Sequence, residues 1–151
     1  MQYIQDASEE PDAGGCVFCA IPESEAERVL ARGRLAYVVL NKFPYNPGHV
    51  LAVPLRHVGE LEDVTPEENA ELQALLQRAI GAIRRAASPD GFNVGLNLGR
   101  IAGAGIPEHL HWHVVPRWSG DTNFMSVVGG TRVLPELLAD TYLRLKPAFD
   151  A

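Results

Sequence analysis

Apolar and polar positions alternate most sharply in "HLHWHVVPRW" (His109–Trp118), where histidines at 109, 111 and 113 interleave with Leu110, Trp112 and Val114. Side chains two apart share one face of a strand but diverge on a helix. This period of two therefore predicts a strand with imidazole on one face and core on the other. Pro116 predicts that the strand ends there or runs along an edge, because proline brings no N–H to a ladder. Upstream, "SEAERVLARG" (Ser24–Gly33) predicts a short helix capped by Ser24 and stopped by Gly33. The β-branched runs Arg34–Asn41 and His49–Arg56 predict two antiparallel strands, joined by the proline- and glycine-containing turn "KFPYNPG". From Thr65 the period changes to that of a helix, with Leu72, Leu75, Leu76, Ala79, Ile80 and Ile83 on one side. Thr65, Pro66 and Glu68 spell a capping box with proline at the first helical position. Gly91–Gly99 predicts a further strand, "RIAGAGIP" a glycine-rich loop, and "LPELLADTYLRLK" a last helix. Strands joined by short turns, with segregated helices, predict an α+β domain with a mostly antiparallel sheet.

Composition narrows the partners. A chain of 151 residues fits one domain, expected over residues 16–151 behind a flexible acidic tail at 1–15. The formal charge of −6, with no Lys/Arg-rich run, argues against a nucleic-acid groove or an anionic membrane surface. No apolar run approaches the roughly 20 residues of a transmembrane helix, and the polar N-terminus is unlike a secretion signal. A cytoplasmic location is expected.

Three readings of the histidine row stand on the residues alone: a strand that merely carries histidines, a three-histidine metal site, or nucleophilic catalysis by one imidazole with neighbours setting its tautomer. The two cysteines of the chain, Cys16 and Cys19, form C-x-x-C. That is a buried or redox pair, or half of a metal site, since structural zinc takes four ligands. A closed Cys₂His₂ site would recruit His57 and one of the strand histidines, leaving the other imidazoles for chemistry. The loop "NLGRIAGAGIPEH" is glycine-rich enough for backbone to approach an anion, and it runs straight into the histidine row. It is not a Walker loop, because no G-K-[ST] follows.

Together, "HLHWHVV", "NKFPYNPGHVLAVPLRHV" and "VTPEE" resemble the signature of the histidine triad (HIT) family of nucleotide hydrolases and transferases, over about residues 16–118. The segment 91–125 looks most like prokaryotic members that act on diadenosine polyphosphates. The resemblance implies an HIT-like α+β fold and cleavage of a dinucleoside polyphosphate at an α-phosphate, with water or phosphate as acceptor. A nucleoside phosphoramidase, or a nucleotide-binding module with vestigial catalysis, are the alternatives. It makes His111 the nucleophile, oriented by the carbonyl of His109, with His113 and His49 completing the imidazole network. Asn41 matches a ribose-contacting position, and Phe18, Val39 and Leu51 fall in the apolar base pocket. Asn97 stands where the fragile-histidine-triad branch carries glutamine, and Gly103 and Gly105 belong to the loop expected at the phosphates. Structural zinc on Cys16, Cys19, His57 and His109 and a homodimer are also implied.

Overall fold

The computed structural model describes residues 15–121 and 136–151; the expected tail lies almost wholly outside the described residues. In chain order the elements are α1 (Val17–Ser24), β1 (Val29–Arg32), β2 (Ala36–Leu40), β3 (Val50–Pro54), α2 (Pro66–Ala87), β4 (Gly91–Gly95), β5 (Trp112–Arg117) and α3 (Leu138–Asp150). The strands form an antiparallel sheet in the order β1-β2-β3-β5-β4. This is the expected α+β architecture.

The segment read as a helix from Ser24 folds otherwise. Ser24 ends α1, residues 26–28 make one 3-10 turn, and Val29–Arg32 become edge strand β1. Pairing overrides local propensity here: Val29 lies opposite Val39 and Ala31 opposite Val38, and Leu30 is fully buried. α1 begins instead at the C-x-x-C, with Cys16 as N-cap, and carries Pro22. Proline at 22 leaves the carbonyl of Phe18 without its helical donor, and the Tyr37 hydroxyl supplies one at 2.7 Å. The last helix also shifts: it begins at Leu138 and reaches Asp150, and the start expected at Leu134 lies outside the described residues.

Strands β2 and β3 are buried on both faces. One face packs Val38, Leu40, Val50, Ala52 and Val114 against Leu72, Leu76, Ala79 and Ile83 of α2 and Leu145 and Phe149 of α3. The other gathers Phe18, Ile21, Tyr37, Val39, Leu51 and Val53. The capping box of α2 is present, with Thr65 accepting from the Glu68 N–H and Glu68 accepting from the Thr65 N–H. Further along, Glu71 reaches across to the β1–β2 turn, accepting from the N–H groups of Leu35 (2.7 Å) and Ala36 (3.0 Å). Gly33 is required for that approach, because a Cβ there would stand 2.1 Å from the Glu71 carboxylate.

The histidine row is strand-like only in part. β5 starts at Trp112, so His109, at a bend closing the turn from Ile106, and His111 precede it, and His113 lies within it. Pro116 does not end β5: it pairs with Phe92 on one side and, as expected, lies along an edge on the other. It is tolerated because β3 stops opposite Val114, and the carbonyl of Pro116 accepts from the Asn46 side chain instead of from a ladder. β4 is shorter than expected, ending at Gly95, and the glycine-rich segment contains a 3-10 turn at Arg100–Ala102.

Candidate active site and metal centre

His113 lies opposite Leu51 in the β3–β5 ladder, on the sheet face away from α2. The Phe18 ring stands 4.8 Å from that of His111 and 5.6 Å from that of His109. The three expected pocket residues Phe18, Val39 and Leu51 fall in one apolar cluster, joined by Ile21, Tyr37 and Val53 and packed against by Ile106 of the glycine-rich loop.

Hydrogen-bond directions fix the imidazole tautomers. His111 Nδ1 lies 2.8 Å from the carbonyl oxygen of His109, which can only accept, so Nδ1 carries the proton and the lone pair is on Nε2. The backbone N–H of Tyr45 donates to His49 Nδ1 at 3.0 Å, so His49 carries its proton on Nε2 and donates it to His113 Nδ1 at 2.9 Å. His113 must then carry its own proton on Nε2, a buried atom with no partner among the described residues. A relay of fixed polarity thus runs from a backbone amide through two imidazoles to one unmatched N–H donor. Burial pushes His109 and His111 below the ordinary imidazole value, and burial together with nearby His111 takes His113 down to about 4. All three are therefore neutral at pH 7.

His109 faces the other way. Its Nε2–H donates to the carbonyl of Pro54 at 2.9 Å, and its Nδ1 lies 3.2 Å from Cys16 Sγ and 3.5 Å from Cys19 Sγ. His57 Nδ1 is 3.5 Å from Cys19 Sγ, and all four ligand atoms lie within 4.8 Å of one another. Ligand atoms around a tetrahedral metal with bonds of about 2.0–2.3 Å stand roughly 3.3–3.8 Å apart. The three sulfur–nitrogen distances of 3.2, 3.5 and 3.5 Å lie close to that spacing, while the group as a whole spans up to 4.8 Å. Burial and the facing Cys16 sulfur push the Cys19 thiol above its usual value, a penalty that a cation among the four donors removes. The Pro54 carbonyl is the outer partner that fixes the tautomer of a metal-binding imidazole. The four residues form a group able to bind a metal.

Other expected residues are placed less simply. Asn41 is buried, and its Oδ1 accepts from the N–H of Phe43 at 3.0 Å, so part of its amide is engaged in shaping the β2–β3 turn. Asn97 is half-buried and donates to the carbonyl of Gly103 at 3.3 Å, holding the glycine-rich loop closed on itself. Gly103 has φ +93°, whereas Gly105 has an ordinary backbone and open space around it. Tyr45 escaped the sequence reading. Its ring stacks on His113 at 5.9 Å and 7° and stands 4.7 Å from His49. Its place between Asn41 and His49 was the available signal, but the segment reads as a turn. The Pro54 carbonyl was also missed, since a backbone group leaves no mark in a residue pattern.

Known proteins resemble this chain in sequence and in fold. AP-4-A phosphorylase of Mycobacterium tuberculosis is 51% identical over 148 residues, covering 93% of this chain and 76% of its own length. Adenosine 5′-monophosphoramidase of Schizosaccharomyces pombe is 30% identical over 103 residues, 68% of this chain and 74% of that one. A Zn-bound histidine triad family protein from Mycobacterium smegmatis superposes with a TM-score of 0.75 at 30% identity, covering 90% of this chain and 94% of that one. The family model for the HIT domain matches residues 23–120, which contain all five histidines. With that match across most of its length, the chain belongs to the HIT domain family.

Proposed function

We propose that this protein cleaves dinucleoside polyphosphates, diadenosine tetraphosphate among them, by transferring a nucleotidyl group through His111 to water or phosphate. The observation that carries this reading is the tautomer of His111, whose proton is held on Nδ1 by a carbonyl while Nε2 is left as a nucleophile. The 51% identity to AP-4-A phosphorylase supports the substrate class. One base enters the slot of Phe18, Val39 and Leu51, with Asn41 toward the ribose, and the polyphosphate lies along the imidazoles and the loop carrying Asn97, Gly103 and Gly105. The Nε2 lone pair of His111 attacks the α-phosphorus in line. A P–N bond forms as the P–O bond to the remaining phosphates breaks, and that electron pair leaves on the departing oxygen. The Nε2–H of His113, buried and without a partner among the described residues, is the donor available to the developing charge on that oxygen. The acceptor then displaces His111 from phosphorus and loses its proton.

Cys16, Cys19, His57 and His109 would hold one structural zinc, which supplies no chemistry to the displacement. It pins α1 to the segment whose carbonyl orients His111. A reduced C-x-x-C held on metal accords with a cytoplasmic setting. The exposed edge of β4, carrying Val94, supports a homodimer. No helix among the described residues is long and apolar enough to cross a membrane. The test incubates the protein with diadenosine tetraphosphate, with and without phosphate, and separates the products. AMP plus ATP identifies water as acceptor, and ADP plus ATP identifies phosphate. No cleavage under either condition, with rapid hydrolysis of adenosine 5′-phosphoramidate, makes the protein a phosphoramidase like its Schizosaccharomyces pombe relative.

A further inference from the structure

The donor on His113 exists only because the relay behind it runs in one direction. Were the His49 proton on Nδ1, His49 Nε2 would accept and His113 Nδ1 would take the proton. His113 Nε2 would then offer the leaving oxygen a lone pair in place of an N–H. The Tyr45 N–H forbids this by donating to His49 Nδ1 at 3.0 Å. That amide belongs to the β2–β3 turn, beyond the end of the β3–β5 register at Val50 and Val114. Asn46, the next residue, ties the turn to β5 where the ladder has stopped. Its side-chain nitrogen donates to the Pro116 carbonyl at 2.9 Å and to Asp121 Oδ2 at 2.8 Å, while its own carbonyl accepts from the His49 N–H at 3.0 Å. Both side-chain partners can only accept, so both amide hydrogens are used. Asp121 is itself held by the Arg117 fork and the Trp118 N–H. The turn also lies close against β5, since a Cβ on Gly48 would stand 3.4 Å from Pro116 Cγ.

We propose that Asn46 is a positioning residue for the leaving-group donor: by clamping the turn to β5 it keeps the Tyr45 N–H on His49 and so fixes the polarity of the His49–His113 relay. It acts through the two imidazoles and not on the substrate. Reversal of the chain is already served by Pro44, Pro47 and Gly48. The reach of Asn46 to acceptors 70 and 75 positions away adds the placement of the turn relative to β5, on which the Tyr45 contact depends. The inference rests on the reading above of His113 as donor to the departing oxygen.

Imidazole nitrogen NMR spectra at neutral pH, with no substrate present, report which ring nitrogen of His49 and of His113 carries the proton. In the wild type both protons are on Nε2. In Asn46→Ala a second tautomer appears at both residues, and none appears at His111, whose proton is held by the His109 carbonyl. Turnover of diadenosine tetraphosphate by Asn46→Ala is about ten-fold slower in kcat, the worth of one net hydrogen bond, with KM within about two-fold of the wild type. The same substitution in a His113→Ala background costs nothing further, because the donor it positions is gone. A general loosening of the fold would slow both backgrounds alike. Asn46→Asp, of the same shape but with no hydrogens to donate, gives the same results and carries the test should the alanine variant not fold. Unchanged tautomers in the Asn46 variants, or a loss that repeats in full without His113, overturn the proposal. A wild type with the expected tautomers that cleaves no dinucleotide overturns the dinucleoside reading, while the spectra still decide whether Asn46 sets the relay.

Discussion

Single residues in this site act through the atom left over once hydrogen bonds are assigned. His111 and His113 are chemically identical side chains two positions apart, yet one presents a lone pair and the other an N–H, because their Nδ1 atoms meet a carbonyl and a donating imidazole respectively. The expected consequence is a clean division of roles. His111→Ala abolishes turnover and nucleotidyl labelling while leaving nucleotide binding largely intact. His113→Ala slows turnover by about 10²–10³-fold, the cost of one transition-state donor, yet still accumulates label. Trapping with radiolabelled substrate and mapping the modified peptide checks both. Label recovered on His113 or His49, or a His111→Ala protein that keeps its rate, would reverse the assignment. Asn41 is a sharper case after folding than before. Because Oδ1 already holds the Phe43 N–H, Asn41→Ala should weaken ribonucleotides more than their 2′-deoxy analogues and also disturb the turn. Equal losses for the two sugars would leave only the turn-shaping role.

At the scale of elements, the long helix is anchored by one carboxylate. Glu68 accepts from the Thr65 N–H and pairs with both nitrogens of the Arg56 fork at 2.8 Å, binding the N-terminus of α2 to the chain just past β3. That guanidinium and the Thr65 cap hold the Glu68 carboxyl down at about 2, against an ordinary value of 4.5. A depressed acid stabilises the fold above its ordinary value and loses that contribution as pH falls toward its folded value. The stability gap between the wild type and Glu68→Gln should therefore be full at pH 7 and shrink between 4.5 and about 2. Thr65→Ala, which removes only the cap, should cost about 1 kcal/mol at neutral pH. Urea denaturation at pH 7, 4 and 3 measures both, and a gap independent of pH would mean that the carboxylate charge contributes nothing.

For the whole molecule, the metal group joins three distant stretches: α1, the chain after β3 and the segment before β5. Protein purified without chelator is expected to carry one zinc per chain, and its removal to lower Tm by about 10 °C, a few kcal/mol for a domain of this size. Cys16→Ser should produce the same loss, and chelator should add little to it. A metal-free preparation of full stability would overturn the zinc reading. The orientation of His111 by the His109 carbonyl also depends on this tie, so activity and melting temperature should fall together on chelation.

The long helix and the residue types available for chemistry were legible in the sequence. The capping box at Thr65–Glu68 and the leucine spacing of α2 are local, set by contacts within a few residues, and the histidine row and C-x-x-C marked candidate chemistry whose roles came only with the family resemblance. Tertiary structure decided what depends on partners far along the chain. Val29–Arg32 became a strand because β2 lies beside it, and Pro116 sits within β5 because β3 ends before reaching it. Tyr37 allows Pro22 inside α1 by donating to the Phe18 carbonyl, and the Pro54 carbonyl fixes the tautomer of His109 across 55 positions. Each of these rests on a backbone hydrogen-bond group being met or left unmet by something distant in sequence, and residue identity does not encode where a carbonyl will point.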